Sequence, residues 1–186
     1  MKDLDISAAV AALHRGGVIA YPTEAVWGLG CDPMNEAAVM RLLAIKQRDV
    51  GKGLILIAAY EDQFDALLDW DALPPDRAED VYDSWPGPNT WIVPAHGTVP
   101  RWITGDHAGV AARVSAHPTV VALCQAFGGP ITSTSANLAG APPVFTRERL
   151  DSGLIADLDG VVAGETGGDA SPSTIRDARS GQVLRA

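Results

Sequence analysis

Apolar side chains at Ile6, Ala9, Val10 and Leu13 recur at helical spacing, and Gly16-Gly17 stops the run, so the chain's start MKDLDISAAVAALHRGG predicts a short amphipathic helix. The period then changes. Val18 to Tyr21 predicts a short buried strand ended by Pro22. The segment TEAVWGLGCDP reads as a loop leading into a second helix, with Asn35 as its N-cap. Val39, Leu42 and Leu43 form that helix's apolar stripe, and Lys46 continues the stripe at its end. Gly53 to Ala59 is a strand apolar enough to be covered on both faces. EDQFDALLDW and PPDRAEDVYDSW predict two shorter helical segments, the second closed by the breaker PGP at 86–88.

Thr90 to Ala95, Gly109 to Val114 and Pro130 to Ser135 predict strands. Pro118 opens a helix that runs through Phe127 and ends at Gly128. The loop ANLAGAPPV follows, then a strand at 159–165 and a terminal hairpin in STIRDARSGQVLRA, turning at Arg179–Gln182. Strands and helices interleave without a strict βα period. The expectation is one α/β domain over residues 1–186, a twisted mixed parallel/antiparallel sheet flanked by helices.

Composition narrows the class. The 47% hydrophobic and 20% charged residues are those of a globular protein and argue against disorder. No apolar run approaches the roughly 18–20 residues that span a bilayer, so no membrane association is expected. The start carries two aspartates and does not read as a secretory signal. Cys31 and Cys124 are too few for a disulfide framework and lack metal-site spacing; both read as small core residues of a cytoplasmic protein. The formal net charge of −9 disfavours a wide nucleic-acid-binding surface, which needs a basic field.

Against that acidic background the cations are clustered. Lys46, Arg48 and Lys52 lie within seven residues, and two of the chain's three lysines are among them. A small polyanion in one pocket fits this better than a long one spread over a surface. Neither a Walker-type phosphate loop nor a Gly-x-Gly-x-x-Gly helix start is present. A phosphate site here would therefore be a helix-end cluster, with Arg48 best suited because its fork grips a phosphate in two places. A solvated helix terminus, with Lys46 as a C-terminal cap, accounts for the same residues.

Two further patterns bear on chemistry. In ITSTSAN, residues 131–137, a period of two puts Ser133, Ser135 and Asn137 on one face and Thr132, Thr134 and Ala136 on the other. Such a row of hydrogen-bonding groups at a strand's end suits a polar ligand. In AGVAARVSAHP, Arg113 shares a face with Ala111, and an arginine in a mostly buried strand needs an anion, either a structural Asp or Glu or a ligand carboxylate. The four histidines show no paired-ligand spacing and read as loop or cap residues; no nucleophile elbow is present.

Taken in order, YPTEAVWGLGCD at 21–32, Lys46-Gln47-Arg48, WPGPNTW at 85–91, ARV at 112–114, STSANLAG at 133–140 and PSTIRD at 172–177 resemble the YrdC/Sua5 family over essentially the whole chain. The chain is similar to the short bacterial form, which lacks the extra C-terminal domain. The resemblance implies a YrdC-like fold and a nucleotidyltransferase that makes L-threonylcarbamoyladenylate and pyrophosphate from L-threonine, bicarbonate and ATP, with Mg²⁺ accompanying ATP. The product would serve threonylcarbamoylation of adenosine 37 in tRNA, through transient contact with downstream proteins similar to TsaD, TsaB and TsaE and possible contact with tRNA.

Residue by residue, the resemblance assigns threonine binding to Thr23, Arg113, Ser133 and Ser173. It assigns ATP binding to Arg48, Lys52, Gly109, Ser135, Pro143 and Arg185, and it groups Lys46, Arg48, Ser135 and Asn137 as a catalytic tetrad. No resident metal ligands are implied. Three positions depart from the family pattern: Asp49 replaces a proline, Ala139 replaces a frequent serine, and Ile57 stands where longer relatives tend to carry a histidine. Two other readings follow from the same likeness, an RNA-binding or ribosome-maturation factor and a carbamoyl-transfer module. The net charge disfavours the first, and the absence of zinc-finger and acylphosphatase-like segments disfavours the second.

Overall fold

The computed structural model describes residues 2–138 and 140–185. Ala139, and with it the hydroxyl that the family pattern often has there, lies outside them. The chain opens with a two-residue strand, β1 (Asp3–Leu4), before α1 (Ile6–His14), which starts where the apolar pattern starts. Asp5 caps it, its carboxylate accepting the Ala8 N–H. β2 (Ile19–Pro22) follows as expected. The segment read as a loop then contains a fully buried strand, β3 (Trp27–Gly30).

The glycines of WGLG, depleted in strands by ordinary propensity, conceal this strand from a pattern reading. The folded chain gives the reason for one of them. A Cβ on Gly30 would lie 2.4 Å from the Thr132 carbonyl oxygen and 2.8 Å from the Tyr21 ring. Gly30→Ala is therefore expected to destabilise the protein by about 1–3 kcal/mol, the usual cost of overpacking, read as a lowered midpoint in thermal denaturation. Gly28, whose Cβ would meet only ordinary contacts at 3.5–3.6 Å, should tolerate alanine far better.

α2 (Glu36–Lys46) is capped by Asn35, whose side chain accepts the Ala38 N–H, and it ends at Gln47 in the left-handed conformation (φ 51°). β4 (Ile55–Ala58) comes next. The stretch EDQFDALLDW is not a helix: it makes two separate 3₁₀ turns, Glu61–Phe64 and Trp70–Ala72. The remaining elements are α3 (Pro75–Asp83), β5 (Asn89–Pro94), a one-turn α4 (Arg101–Thr104), β6 (Gly109–Val114), α5 (Pro118–Phe127), β7 (Ile131–Ser135), a short α6 (Ser152–Ala156), β8 (Gly160–Val162), and the hairpin strands β9 (Thr174–Asp177) and β10 (Val183–Arg185).

The strands form one mixed ten-stranded sheet in the order β1-β8-β2-β3-β7-β4-β6-β5-β9-β10. β4 runs parallel to β6, and β9 parallel to β5. β7 sits centrally, antiparallel to both β3 and β4. The strand period of two sorts residues between the two faces. Leu29, Leu56, Ala58, Trp91, Val93, Val110, Ala112 and Val114 face one core, shared with α2 residues Val39, Leu42 and Leu43. On the opposite face, Ile19, Tyr21, Ile57, Ile131 and Val162 pack beneath α1 and α5.

That helix pair covers only part of its face. Further along β4 and β7, and on the adjoining β5 and β6, Ile55, Ser133, Ser135, Ile92 and Ala111 line a cavity instead. Cys31 and Cys124 are buried free thiols in the two cores, and burial pushes each pKa up to about 12. No helix among the described residues is long and apolar enough to cross a membrane.

Candidate functional site

The uncovered part of the sheet face forms a cavity of about 360 Å³. Its floor is the polar row of β7. Ser133 pairs across from Ile55 of β4, and Ser135 from Gly28 of β3. Both serines and Asn137 line the cavity, while Thr132 turns away and its hydroxyl accepts the Cys31 N–H at 2.8 Å. One wall is the tight turn 23–26, where Thr23 donates from both its N–H and its Oγ1 to the Val26 carbonyl. The Thr23 hydroxyl proton is thus committed, and its oxygen can only accept from a ligand.

On β6, Gly109, Ala111 and Arg113 line the cavity. Arg113 is 6% exposed, and its buried charge has a protein partner: Nη2 lies 3.0 Å from Glu24 Oε2. The opposite wall is the terminal hairpin. Ser173 shares a 2.8 Å hydrogen bond with the Thr90 hydroxyl, and Arg185 Nη2 donates to the Ser173 carbonyl at 2.9 Å. Pro143 closes the rim.

The cations from the end of α2 enter from the side. Arg48 Nη2 donates to the Gly53 carbonyl at 2.9 Å, whereas its buried Nε has no partner among the described residues. The Asn137 Oδ1 is likewise buried and unpartnered. Burial, and then the nearby Arg185 charge, holds the Arg48 pKa below its ordinary value; burial, and then Arg113, does the same to Arg185. Three guanidiniums from residues 48, 113 and 185 thus share one space, with Arg185 repelled by Arg113 and Arg48 by Arg185. Among the described residues no carboxylate side chain lines that space.

Lys46 differs from the others. Of the twelve residues selected from the sequence, eleven line this cavity and Lys46 does not. It is 4% exposed, and its ammonium donates to the carbonyls of Ser135 and of Asn137, the latter at 2.6 Å. It is not the C-terminal cap of α2 either, since the Gln47 N–H closes that end on Ala44 and Leu43. Burial, with a smaller effect from Arg48, lowers its pKa to about 8. Lys46 is a strut under the Ser135–Asn137 turn.

The loop after Arg48 follows a defined path despite Asp49. The Asp49 carboxylate accepts the Gly51 N–H at 2.6 Å and caps a single 3₁₀ turn, Val50–Lys52. Its charge is used locally, and the chain returns through Gly53 (φ 63°) to pair Leu54 N–H with the Ile103 carbonyl. Ile57 is fully buried against α5 and does not line the cavity; Ile55 does.

Sequence patterns missed Glu24, which sits behind the wall, and His107, which lines the rim. A lone acid in a loop and a lone histidine carry no periodic signal; only the long-range fold gives them a place.

Nine of the chain's 23 acidic residues fall between Glu61 and Asp83, outside this cavity. The cations that line the cavity are enclosed and this stretch of surface is acidic, not the wide basic field that nucleic-acid binding needs. Donors, like charges and hydroxyls sharing an enclosed space suit a ligand carrying several negative charges together with a carboxylate.

Comparison with known proteins shows the family. The model of the Sua5/YciO/YrdC family, described as "Telomere recombination", matches residues 11–186. The threonylcarbamoyl-AMP synthase of Xanthomonas euvesicatoria pv. vesicatoria is 62% identical over 182 residues, which cover 98% of this chain and 97% of that protein. Among solved structures, P. abyssi Sua5 complexed with L-threonine superposes with a TM-score of 0.87 at 28% identity; the match covers 95% of this chain but only 54% of that one. E. coli YciO shares the fold, with a TM-score of 0.82 at 24% identity over 99% of this chain and 94% of its own. The chain belongs to the Sua5/YciO/YrdC family.

Proposed function

We propose that the chain is a threonylcarbamoyl-AMP synthase, converting L-threonine, bicarbonate and ATP to L-threonylcarbamoyladenylate and pyrophosphate. The observation that carries this reading is the convergence of Arg48, Arg113 and Arg185 on one cavity floored by Ser133 and Ser135 and, among the described residues, lined by no carboxylate side chain. Relatives bearing that name align over nearly the full length of both chains.

In this reading Arg113 receives the threonine carboxylate, with Thr23, Ser133 and Ser173 around the amino acid. Arg48, Lys52, Ser135 and Arg185 face the phosphates, and Gly109 and Pro143 border the nucleotide. The threonine amine loses a proton and adds to carbon dioxide formed from bicarbonate, giving a carbamate. A carbamate oxygen then attacks the α-phosphorus as the bond to the bridging β-phosphate oxygen breaks, and pyrophosphate leaves. No covalent adduct to the protein is required. Rate comes from holding the reactants in line and from fixed positive charge at the departing phosphates.

Mg²⁺ fits as part of the ATP substrate. Among the described residues no group of three His, Cys, Asp or Glu side chains could hold a metal by itself. The adenylate would pass to the proteins that complete adenosine 37 modification in tRNA. The RNA-binding alternative is not favoured by the charge distribution.

Purified protein incubated with ATP, bicarbonate and each amino acid in turn should release pyrophosphate with threonine, and mass spectrometry should find the threonylcarbamoyl adenylate. Pyrophosphate release independent of bicarbonate, or of the amino acid, would overturn the assignment. Serine should be used less well by about 10- to 200-fold, the range that one methyl group provides.

A further inference from the structure

Glu24 belongs to none of the groups assigned above, yet its side chain joins three separate donors behind this wall. Its Oε1 accepts the Ser115 hydroxyl at 2.7 Å and the Ala116 N–H at 3.1 Å, and its Oε2 accepts Arg113 Nη2 at 3.0 Å. All three partners are donors. An ionised carboxylate satisfies them together; a glutamine cannot, because its NH₂ would confront one of the donors whichever way it is turned. Burial alone would raise the Glu24 pKa, but Arg113, the Ser115 hydroxyl and the backbone N–H groups outweigh it, so the group stays ionised.

The Glu24 backbone is anchored independently of its side chain. The Asp169 N–H donates to the Glu24 carbonyl and the Gly167 N–H to the Thr23 carbonyl, both at 3.0 Å. A side-chain change at 24 should therefore leave Thr23 and the turn 23–26 in place and act on Arg113. Arg113 itself stands at a boundary: its cross-strand partner Ile57 is core, whereas Ala111, two residues earlier on its own strand, lines the cavity.

We infer that Glu24 is a positioning residue for substrate-carboxylate recognition: by holding one edge of the Arg113 guanidinium against Ser115 and Ala116, it aims the remaining N–H edge into the cavity. The inference rests on the reading of Arg113 as the threonine-carboxylate contact. Before the substrate arrives, Glu24 also supplies the counter-charge that a buried guanidinium requires. Specificity for the carboxylate then comes from a preset fork and not from a mobile cation.

The test is a double-mutant cycle in steady-state kinetics with Glu24→Gln and Arg113→Lys. Glu24→Gln should raise KM for threonine by about tenfold while leaving KM for ATP within about twofold and kcat within about threefold. In the Arg113→Lys background, where the fork is gone, the same substitution should change KM for threonine less than about twofold. Ser115→Ala, which removes one anchor and keeps both charges, should raise KM for threonine by about threefold, with the same loss of effect in the Arg113→Lys background. It carries the test if Glu24→Gln does not fold.

A KM increase of equal size in both backgrounds, or one shared by ATP, would mean that Glu24 only supports the wall, and the inference would fail. Absence of threonine-dependent turnover in the unaltered chain would instead overturn the activity reading, and this inference with it.

Discussion

Arg48→Ala lowers kcat/KM for threonine-dependent pyrophosphate release by about 10³-fold, equivalent to about 4 kcal/mol of transition-state stabilisation, and leaves the thermal midpoint unchanged or raised. The two halves of this expected result have separate causes. Among the described residues the Arg48 side chain makes one hydrogen bond, to the Gly53 carbonyl, and its Nε has no partner. Burial and the Arg185 charge both disfavour its ionised form. Removing it relieves a local electrostatic penalty, as often occurs at sites arranged for function and not for stability. In the proposed reaction the same charge would face the oxygens on which negative charge builds as pyrophosphate departs, where a fixed guanidinium is worth most. Arg48→Lys should recover only part of the loss, because an ammonium keeps the charge without the fork. Full activity in Arg48→Ala, or a lost midpoint with proportionate activity, would remove Arg48 from the reaction.

Lys46→Met is the second large effect, and it operates at a distance. The ammonium lies outside the cavity and donates to the carbonyls of Ser135 and Asn137. Methionine fills most of the buried stem but removes the donor shared by both carbonyls, leaving Ser135 with the Asn137 N–H at 2.9 Å, so the turn carrying the two side chains loses the tie that holds it to α2. Hydrogen bonds to a charged group contribute about 1.5–3 kcal/mol each, while releasing a buried ammonium from its desolvation penalty offsets part of that. Global stability should therefore move little, and kcat/KM should fall by about 10²-fold through displacement of Ser135 and Asn137. Lys46→Arg should not rescue, since a planar fork does not fit where a point donor meets two carbonyls at close range. A variant that keeps full turnover would show that the turn holds its geometry unaided.

Much of the site was legible in the linear chain because its residues sit in patterned elements. The period of two in ITSTSAN places Ser133, Ser135 and Asn137 on the face that lines the cavity. The same period in β6 separates Arg113 from its apolar neighbours. Lys46 on the apolar stripe of α2 is buried, as its position there implies. Where the reading missed, local composition and tertiary demand disagreed. WGLG lacks strand propensity, but Tyr21 and the Thr132 carbonyl occupy the space a side chain would need at Gly30. EDQFDALLDW carries helical spacing, but it breaks into two 3₁₀ turns, with Phe64 and Leu68 buried in the core between them.

The amino-acid order by itself determined which side chains share a face, where helices start and stop, and that cations and hydroxyls are concentrated in a few segments. These are consequences of steric period and capping, which act over a few residues. Only the tertiary structure decided that Arg48, Arg113 and Arg185 surround one space, that Glu24, 89 residues away in the chain, holds Arg113, and that Lys46 bears on a turn equally remote from it. Those relations depend on the strand order β3-β7-β4-β6, which brings remote segments side by side. Strand order is settled by the burial of both sheet faces at once, a condition on the whole chain that no local window contains.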